Sequence, residues 1–419
     1  MATIEQSYQS AREQYATYGV DTEAALATLA TVPLSIHCWQ GDDVGGFERP
    51  AAALTGGGIQ VTGNYPGKAR TPAELRADME KSLSLIPGAH RVNLHASYGE
   101  FGGKTVDRDQ IAPEHFQGWV SWAKEHGLGL DFNSTFFSHP KADEGWTLSH
   151  RDPAIRAFWV EHAKRCRSIS AFMGKEVGRP CIHNLWIPDG CKDAPADRWT
   201  PRRLLRESLD EIYSISYPAA EMKDAVESKL FGIGSESYVV GNHEFYLAYA
   251  LANAKIVCLD MGHFHPTEAI ADKISAVLQF ADELLLHLSR GVRWDSDHVT
   301  IMSDEVRAVM DEIVRGQALG RVHLALDFFD GSMNRVGAWV IGARATLRAL
   351  LAALLSPNRK LRDAEQRGDN FARLALMEDA RALPLGAVWD YHCHTRGIPT
   401  GLEVITAVHA YEAAVTSKR

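Results

Sequence analysis

The stretch that decides the fold runs from Ala225 to Asp327 and contains four apolar runs, each carrying side chains that can bind a metal ion. The runs are Ala225-Val226-Glu227-Ser228-Lys229-Leu230-Phe231, Ile256-Val257-Cys258-Leu259-Asp260, Leu284-Leu285-Leu286-His287-Leu288 and Val322-His323-Leu324-Ala325-Leu326-Asp327. Short apolar runs bounded by turn signals are typical of strands buried in a parallel sheet. Acidic and imidazole side chains at the ends of successive strands are typical of the carboxyl-end mouth of an α/β barrel.

The alternation of strand and helix extends over most of the chain. Strands are predicted at 33–39, 91–96, 128–133, 182–188, 225–232, 255–262, 284–290 and 322–329, and helical patterns separate them from the second strand onward. Eight strands alternating with helices predict a (β/α)8 TIM barrel, with a doubly wound open sheet as the alternative.

Segments of different character flank and interrupt the barrel predicted at 31–356. Residues 1–30 are predicted to form an N-terminal helical segment, and 357–419 a charged C-terminal helical extension that is small for an independent domain. After the first strand, residues 40–70 hold eight glycines and show no periodicity. Loops this long are usually lids, binding loops or disordered, and apolar side chains such as Val44, Phe47 and Ile59 favour a lid.

The composition argues against several classes of function. A net charge of −9 gives no basis for the capture of nucleic acid or of an anionic membrane surface. The polar N-terminus lacks an apolar signal core, and no window is expected to approach the ~20 apolar residues that cross a bilayer. Six scattered cysteines without a C-x-x-C pair predict reduced, buried thiols in a cytoplasmic protein.

Charge counting within the stretch that decides the fold favours a centre with two metal ions. Seven candidate ligands lie there: Glu227, Asp260, His263, His287, Asp295, Asp297 and Asp327. Five of them are carboxylates, which cannot all ionise at one mouth without compensation. Two divalent cations nearly neutralise them, and Lys229, which shares a strand face with Glu227, supplies the remainder. A carboxylate-rich set with few imidazoles suits Mn²⁺ or Mg²⁺, with Co²⁺ or Zn²⁺ tolerated.

Each candidate ligand also has a simpler interpretation. A single aspartate at a strand end is more often a helix cap or a turn former, and Asp295 with Asp297 could form only a turn. His287, alone in an apolar run, could be a histidine of the core. The repetition of acidic or imidazole groups over four consecutive strands is what favours a metal site.

Other side chains are expected near the same mouth. His37 and His95 lie on the first two strands, and Trp39 and Trp186 lie near strand ends, with Phe132 and Phe136 around the third strand. Aromatic rings around a metal site suit a sugar or a small polyol, but they could equally belong to the core. Asp42 and Asp43 are interpreted as solvated loop acids. The glycine-rich residues 55–58 lack the features of a phosphate-binding loop.

Several longer motifs resemble the L-rhamnose isomerase family. They are His37-Cys38-Trp39-Gln40-Gly41-Asp42-Asp43, Thr62-Gly63-Asn64-Tyr65-Pro66-Gly67-Lys68, Asn184-Leu185-Trp186-Ile187-Pro188-Asp189-Gly190, Val226-Glu227-Ser228-Lys229, Asp260-Met261-Gly262-His263-Phe264-His265-Pro266 and Arg293-Trp294-Asp295-Ser296-Asp297-His298. The similarity runs through nearly the whole chain. It implies a xylose-isomerase-like barrel, usually tetrameric, that interconverts L-rhamnose and L-rhamnulose.

The resemblance also implies roles for individual residues. Glu227, Asp260, His287 and Asp327 would hold a structural metal ion, and Asp260 would bridge to a catalytic ion. The catalytic ion would also be held by His263, Asp295 and Asp297. Lys229 would hydrogen-bond the sugar near its reacting oxygens, and Asp327 would orient a water molecule that takes the proton from O2. Hydrogen would move between C1 and C2 either as hydride or through an enediol.

Substrate contacts are assigned more broadly to His95, Trp186, Lys229, Phe47 and Ile59. The 6-deoxy carbon of rhamnose needs an apolar wall, which Phe47 and Ile59 could supply from the lid. Burial of one methyl group is worth about 0.8 kcal/mol, so discrimination against 6-hydroxy sugars should be modest. A metal-dependent phosphoesterase, another sugar isomerase on the same barrel and a non-catalytic sugar-binding barrel are the alternatives.

Overall fold

The computed structural model describes residues 3–48, 61–230, 234–292 and 298–419. Within these ranges the strands are β1 Leu34–His37, β2 His90–His95, β3 Gly129–Asn133, β4 Cys181–Leu185, β5 Gly190–Cys191, β6 Met222–Glu227, β7 Tyr238–Val239, β8 Ile256–Asp260, β9 Leu284–Leu288 and β10 Val322–Leu326. The helices are α1 Ile4–Thr17, α2 Thr22–Thr31, α3 Pro72–Leu83, α4 Gln117–Glu125, α5 Pro153–Val177, α6 Trp199–Ile212, α7 His243–Ala252, α8 Ile270–Val277, α9 Asp304–Arg315, α10 Arg335–Leu354, α11 Asn358–Gln366, α12 Asn370–Ala382, α13 Leu385–His394 and α14 Leu402–Ala414.

Eight of the strands form a closed parallel barrel, in the order β1-β2-β3-β4-β6-β8-β9-β10 and back to β1. The predicted (β/α)8 barrel is therefore confirmed, and the open sheet is excluded. Each barrel strand ends a few residues earlier than predicted, because the polar residues that follow leave the ladder to form the mouth. Helices begin where side chains cap them, as Asp152 does for α5 and Ser303 for α9.

Two sequence predictions about local structure were wrong. Tyr238 and Val239 were predicted to begin a helix, but they form β7, which pairs antiparallel with Gly190–Cys191. The helix starts only after Asn242, whose side chain accepts a hydrogen bond from the amide of Phe245. The single helix predicted at 359–377 is broken into α11 and α12 at Gly368, where a φ of 70° ends one helix and Asp369 caps the next.

Helix α10 also corrects an expectation. Its 20 residues are long and apolar enough to cross a membrane by length and composition, with a mean hydropathy of 1.3. About four-fifths of it (78%) is buried inside the structure, where it packs against α3, α9 and α13. An all-round apolar helix of this kind is what the core of a large barrel requires.

The barrel interior is layered because side chains two apart on a strand point the same way. One layer is apolar and consists of Ile182, Ala225, Ile256, Cys258, Leu285 and Ala325. Below it, toward the amino ends of the strands, Arg91 pairs with Asp131 at 2.7 Å, and Ser35 donates to the same carboxylate. These groups line a cavity of about 380 Å³, which we call the floor cavity. Above the apolar layer lies the mouth.

The C-terminal helices contact both the N-terminal helices and the mouth. The rings of Tyr8 and Tyr391 stack with centroids 3.8 Å apart, which ties α1 to α13. The hydroxyl of Tyr65 donates to Glu412 at 2.5 Å, and Arg419 pairs with the fully buried Asp78 of α3. The division into 1–30, 31–356 with a lid at 40–70, and 357–419 stays a prediction.

Candidate metal centre

Four adjacent barrel strands bring four potential ligands to one point in the mouth. Glu227, Asp260 and His287 lie on β6, β8 and β9, and Asp327 directly follows β10. One ligand atom of each lies within 4.8 Å of the others. The register explains this convergence, because Asp260 pairs with His287 and Glu227 pairs with the residue two positions before Asp260.

The imidazole of His287 lies at the centre of the cluster. Its Nδ1 is 3.0 Å from Asp327 Oδ2, 3.4 Å from Glu227 Oε2 and 3.5 Å from Asp260 Oδ2. Within the described part of the chain, neither ring nitrogen of His287 makes a hydrogen bond, and neither does Asp260 Oδ2. Buried polar atoms are nearly always satisfied, so this arrangement needs a partner that is not a protein group.

The electrostatics of the cluster identify that partner as a cation. Burial raises the pKa of Asp327, and the charges of Asp260 and Glu227 oppose its ionisation further. Burial would also raise the pKa of Glu227, but the imidazoles of His287 and His263 hold it well below its ordinary value. Three buried carboxylates and one imidazole fit a divalent ion that accepts oxygen and nitrogen ligands.

Neighbouring groups fix the orientation of these side chains. Nδ1 of His263 lies 3.0 Å from Glu227 Oε1, and the side-chain amide of Asn184 donates to Glu227 Oε2. Asp260 Oδ1 accepts from the amide of Gly262 at 2.6 Å and from the hydroxyl of Ser289 at 3.3 Å. The carboxylates are thus held in place before any ion binds, as outer-shell contacts do in metal proteins.

Three predicted site residues lie outside the described residues: Asp295, Asp297 and Ile59. Of the ligands predicted for a second ion, the structure therefore places Asp260 and His263, both beside Glu227 and His287.

A belt of rings surrounds the cluster. Ring centroids lie 5.1 Å apart for His37 and Trp39, 4.8 Å for Trp39 and His95, 5.4 Å for His95 and Phe137, and 6.2 Å for Phe137 and Trp186. The belt ends at Lys229, whose buried ammonium lies 5.1 Å from the centre of the Trp186 ring. Phe132 and Phe136 are not part of the belt; they pack outward against Phe116 and Trp159.

His95 is held neutral at the edge of the belt. Burial, together with the charge of Arg108, lowers the pKa of His95 to about 3. Its Nδ1 lies 3.2 Å from Thr135 Oγ1, which accepts from the amide of Ser97 at 3.4 Å. The hydroxyl hydrogen of Thr135 is therefore available to Nδ1, which favours the tautomer with its hydrogen on Nε2.

The loop after β1 is fixed over the mouth. Trp39 Nε1 donates to Asp327 Oδ1 at 3.1 Å. The side-chain amide of Gln40 exchanges two hydrogen bonds with the backbone of Asp330, at 2.7 and 2.9 Å. Phe47 packs edge-on against Tyr98 with centroids 5.6 Å apart, and its amide donates to Ser97 O at 2.7 Å.

Asp42 and Asp43 are not the solvated acids that the sequence suggested. Asp42 is 1% exposed and accepts hydrogen bonds from the hydroxyl of Tyr98 and the amide of Gly46. Asp43 pairs with the guanidinium of Arg335 at the start of α10. The φ angles of Asp43 and Val44, 61° and 63°, lie in the left-handed region, which a β-branched residue adopts only when its surroundings enforce it.

Some groups that shape the site were not assigned from the sequence. Asn184, Thr135 and Gln40 act through neighbours 43, 40 and 290 positions away in the chain. A single sequence gives no signal for such contacts. Asn184 and Gln40 do fall inside the motifs that carry the family resemblance, which was the only available indication.

Comparisons with known proteins agree with this geometry. The sequence model of the family described as L-rhamnose isomerase (RhaA) matches residues 2–419. An L-rhamnose isomerase of Rhodopirellula baltica is 57% identical over 416 residues, which is 99% of this chain and 97% of that protein. The enzyme of the same name from Bacteroides thetaiotaomicron is 56% identical over 99% of each chain. A solved structure of L-ribulose 3-epimerase aligns with a TM-score of 0.47 at 14% identity, over 80% of this chain and 97% of that one.

Proposed function

The chain belongs to the L-rhamnose isomerase family, whose reaction, the interconversion of the aldose L-rhamnose and the ketose L-rhamnulose, it catalyses, and we propose which of its residues carry that reaction. The observation behind the proposal is the convergence of Glu227, Asp260, His287 and Asp327, with His287 making no hydrogen bond among the described residues.

We assign these four residues to a first divalent ion. A second ion would share Asp260 and be held also by His263, Asp295 and Asp297. Mn²⁺ is the ion proposed for both positions, because a carboxylate-rich donor set suits it; Mg²⁺, Co²⁺ and Zn²⁺ also fit such a set. When bound, the ions hold two neighbouring oxygens of the open-chain sugar and stabilise negative charge on them.

The protein groups around the ions bind and orient the sugar. Lys229 donates a hydrogen bond to the sugar oxygen on which charge develops, in a buried setting where such a bond is strong. Asp327 has Oδ1 fixed by Trp39, which leaves Oδ2 as the acceptor for the proton of the C2 hydroxyl. The raised pKa of Asp327 suits a group that must take up that proton and return it.

The belt of rings supplies the remaining contacts. His95 would donate from Nε2 to a sugar hydroxyl, and Trp186 contributes a ring face together with an indole N–H that has no partner in the described ranges. Phe47 and Ile59 are assigned to the apolar wall for the C6 methyl group. The belt also keeps water away from the hydrogen that moves between C1 and C2.

A coupled ketose assay tests this proposal. L-rhamnose should be converted by the Mn²⁺-loaded protein, conversion should stop in EDTA, and Mn²⁺ should restore it. A phosphate ester should not be hydrolysed under any of these conditions. Full rhamnose turnover in excess EDTA would refute the assignment of the four ligands.

We further propose that the chain works as a homotetramer in the cytoplasm. Support for assembly comes from the exposed apolar side chains Phe371 and Leu374 of α12 and Leu402 and Ile405 of α14. Support for a reducing compartment comes from the six cysteines, all of them free thiols. Light scattering of the purified protein measures the first, and a mass of one chain would contradict it.

A further inference from the structure

A thiol lies against the metal centre and belongs to a second donor set. Ligand atoms of Glu227, Cys258 and His287 lie within 4.8 Å of one another, and all three side chains are buried. The register explains this placement. Glu227 pairs with Cys258 on the neighbouring strand, so both side chains point inward side by side, and Asp260 follows one pleat higher, opposite His287.

The two donor sets overlap but differ in chemical character. Both use Glu227 and His287, and the described residues offer the imidazole of His287 no hydrogen bond that would commit it to either set. The first set adds the oxygens of Asp260 and Asp327, which suit Mn²⁺ or Mg²⁺. The second adds the sulfur of Cys258, and thiolates select softer ions such as Zn²⁺.

We propose that Glu227, Cys258 and His287 form an alternative site for thiophilic divalent ions, such as Zn²⁺ or Cd²⁺. The inference rests on the proposed function, because the two sites share two ligands and therefore exclude each other. Binding of the soft ion releases the thiol proton of Cys258 to solvent, and a sulfur lone pair forms the bond to the ion. Asp260 and Asp327 are then no longer required as ligands, so the soft ion displaces the ion needed for isomerisation.

The buried position of Cys258 adds selectivity to this site. Cys258 is 0% exposed, and it faces the interior from the middle of β8. Five other cysteines are present, of which Cys191 is the one that is not fully buried. Soft ions that bind at Cys191 would be held at the edge of the short β5–β7 sheet, away from the barrel interior. Cys191 therefore offers a matched control.

The experiment is a Cd²⁺ titration of the Mn²⁺-loaded, full-length protein, followed by ultraviolet sulfur-to-cadmium charge-transfer absorption. Wild type and the C191S variant should show one saturating, thiolate-dependent site per chain. The C258S variant should lack this absorption and bind Cd²⁺ at least about tenfold more weakly, since even contacts around a ligand change affinity 10–100-fold. Electron paramagnetic resonance should show Mn²⁺ leaving the wild type as Cd²⁺ binds.

The outcomes separate this inference from the function on which it rests. Persistence of the absorption in C258S, or its absence from a wild type that binds Mn²⁺, overturns the thiolate site and leaves the four-ligand site intact. A wild type that binds no Mn²⁺ overturns the four-ligand site itself. If C258S does not fold, C258A replaces it. The ¹¹³Cd chemical shift of the wild type also reports a sulfur ligand directly, and a shift typical of oxygen and nitrogen ligands alone would refute the inference.

Discussion

Trp39 fixes one oxygen of Asp327, the potential ligand that lies beyond the end of its strand. The indole Nε1 lies 3.1 Å from Oδ1, and Oδ2 of the same carboxylate is 3.0 Å from His287 Nδ1. Trp39 follows β1 and Asp327 follows β10, so the contact joins the first and last strands of the closed barrel at its mouth. The proton acceptor that we propose is therefore oriented from the opposite end of the barrel sequence.

Replacement of Trp39 by phenylalanine tests this contact. W39F keeps an aromatic ring but removes the donor, so Asp327 should lose its fixed orientation. We expect Mn²⁺ affinity and kcat to fall by about 10–100-fold, the usual effect of losing a contact that orients a ligand. W122F is the matched control, because the indole of Trp122 also donates to a carboxylate, Glu80, but on the outside of the barrel. Equal losses in the two variants would contradict the expectation.

Replacement of Lys229 by methionine tests the charge in the mouth. K229M keeps the length and apolar stem of the side chain but removes the donor that stabilises charge on the sugar. We expect kcat to fall about 100-fold or more while Mn²⁺ affinity changes little. Lys223 lies on β6 near its amino end and pairs with Glu283 at 2.5 Å, so K223M should leave kcat near the wild-type value. A K229M enzyme with wild-type kcat would exclude a role for Lys229 in the reaction.

Metal binding should stabilise the fold through the four-ligand cluster. At a free ion concentration 100 times Kd, a ligand of the native state contributes about 2.7 kcal/mol. We therefore expect Mn²⁺ to raise the Tm of the wild type by a few degrees over its value in EDTA, and this rise should vanish in H287Q. His323 on β10 bonds Glu283 at 2.9 Å, and the Mn²⁺-dependent rise should persist in H323Q. A rise of equal size in H287Q would place the ion elsewhere.

Asp42 gives the fold a pH dependence of known sign. Burial raises the pKa of Asp42 to about 7 from an ordinary value of 3.8, although bonds from Tyr98 and Gly46 and the charge of Lys68 oppose the rise. The folded chain thus holds this proton more tightly than the unfolded chain. The resulting stabilisation is complete below about pH 4 and is lost as the pH rises to about 7.

The D42N variant mimics the protonated carboxyl and should escape this loss. The difference in free energy of unfolding between D42N and wild type should grow in favour of D42N from about pH 4 to about pH 7, then level off. Urea unfolding at several pH values measures it. A difference that does not vary with pH would show that Asp42 is ionised throughout.

The sequence pattern predicted the barrel and the convergence of its ligands for a physical reason. Strands of alternating orientation and fixed pitch place Glu227, Asp260 and His287 inward at one level, so identity and spacing suffice. The proximity of Cys258 to His287 follows from the register, which pattern reasoning did not specify. The burial of Asp42 depends on Tyr98, and the β5–β7 pair depends on contact between two loops. Such long-range contacts decide local structure against its own sequence preference.

The floor cavity and the mouth share one barrel, but the apolar layer keeps their chemistry apart. Beneath that layer the Arg91–Asp131 pair is fully bonded to protein groups, while above it the carboxylates wait for ions. For protein engineering this division of labour has a practical value. Side chains that border the floor, such as Thr31 and Val32, offer a place where thermal endurance can be adjusted by filling space while turnover stays untouched.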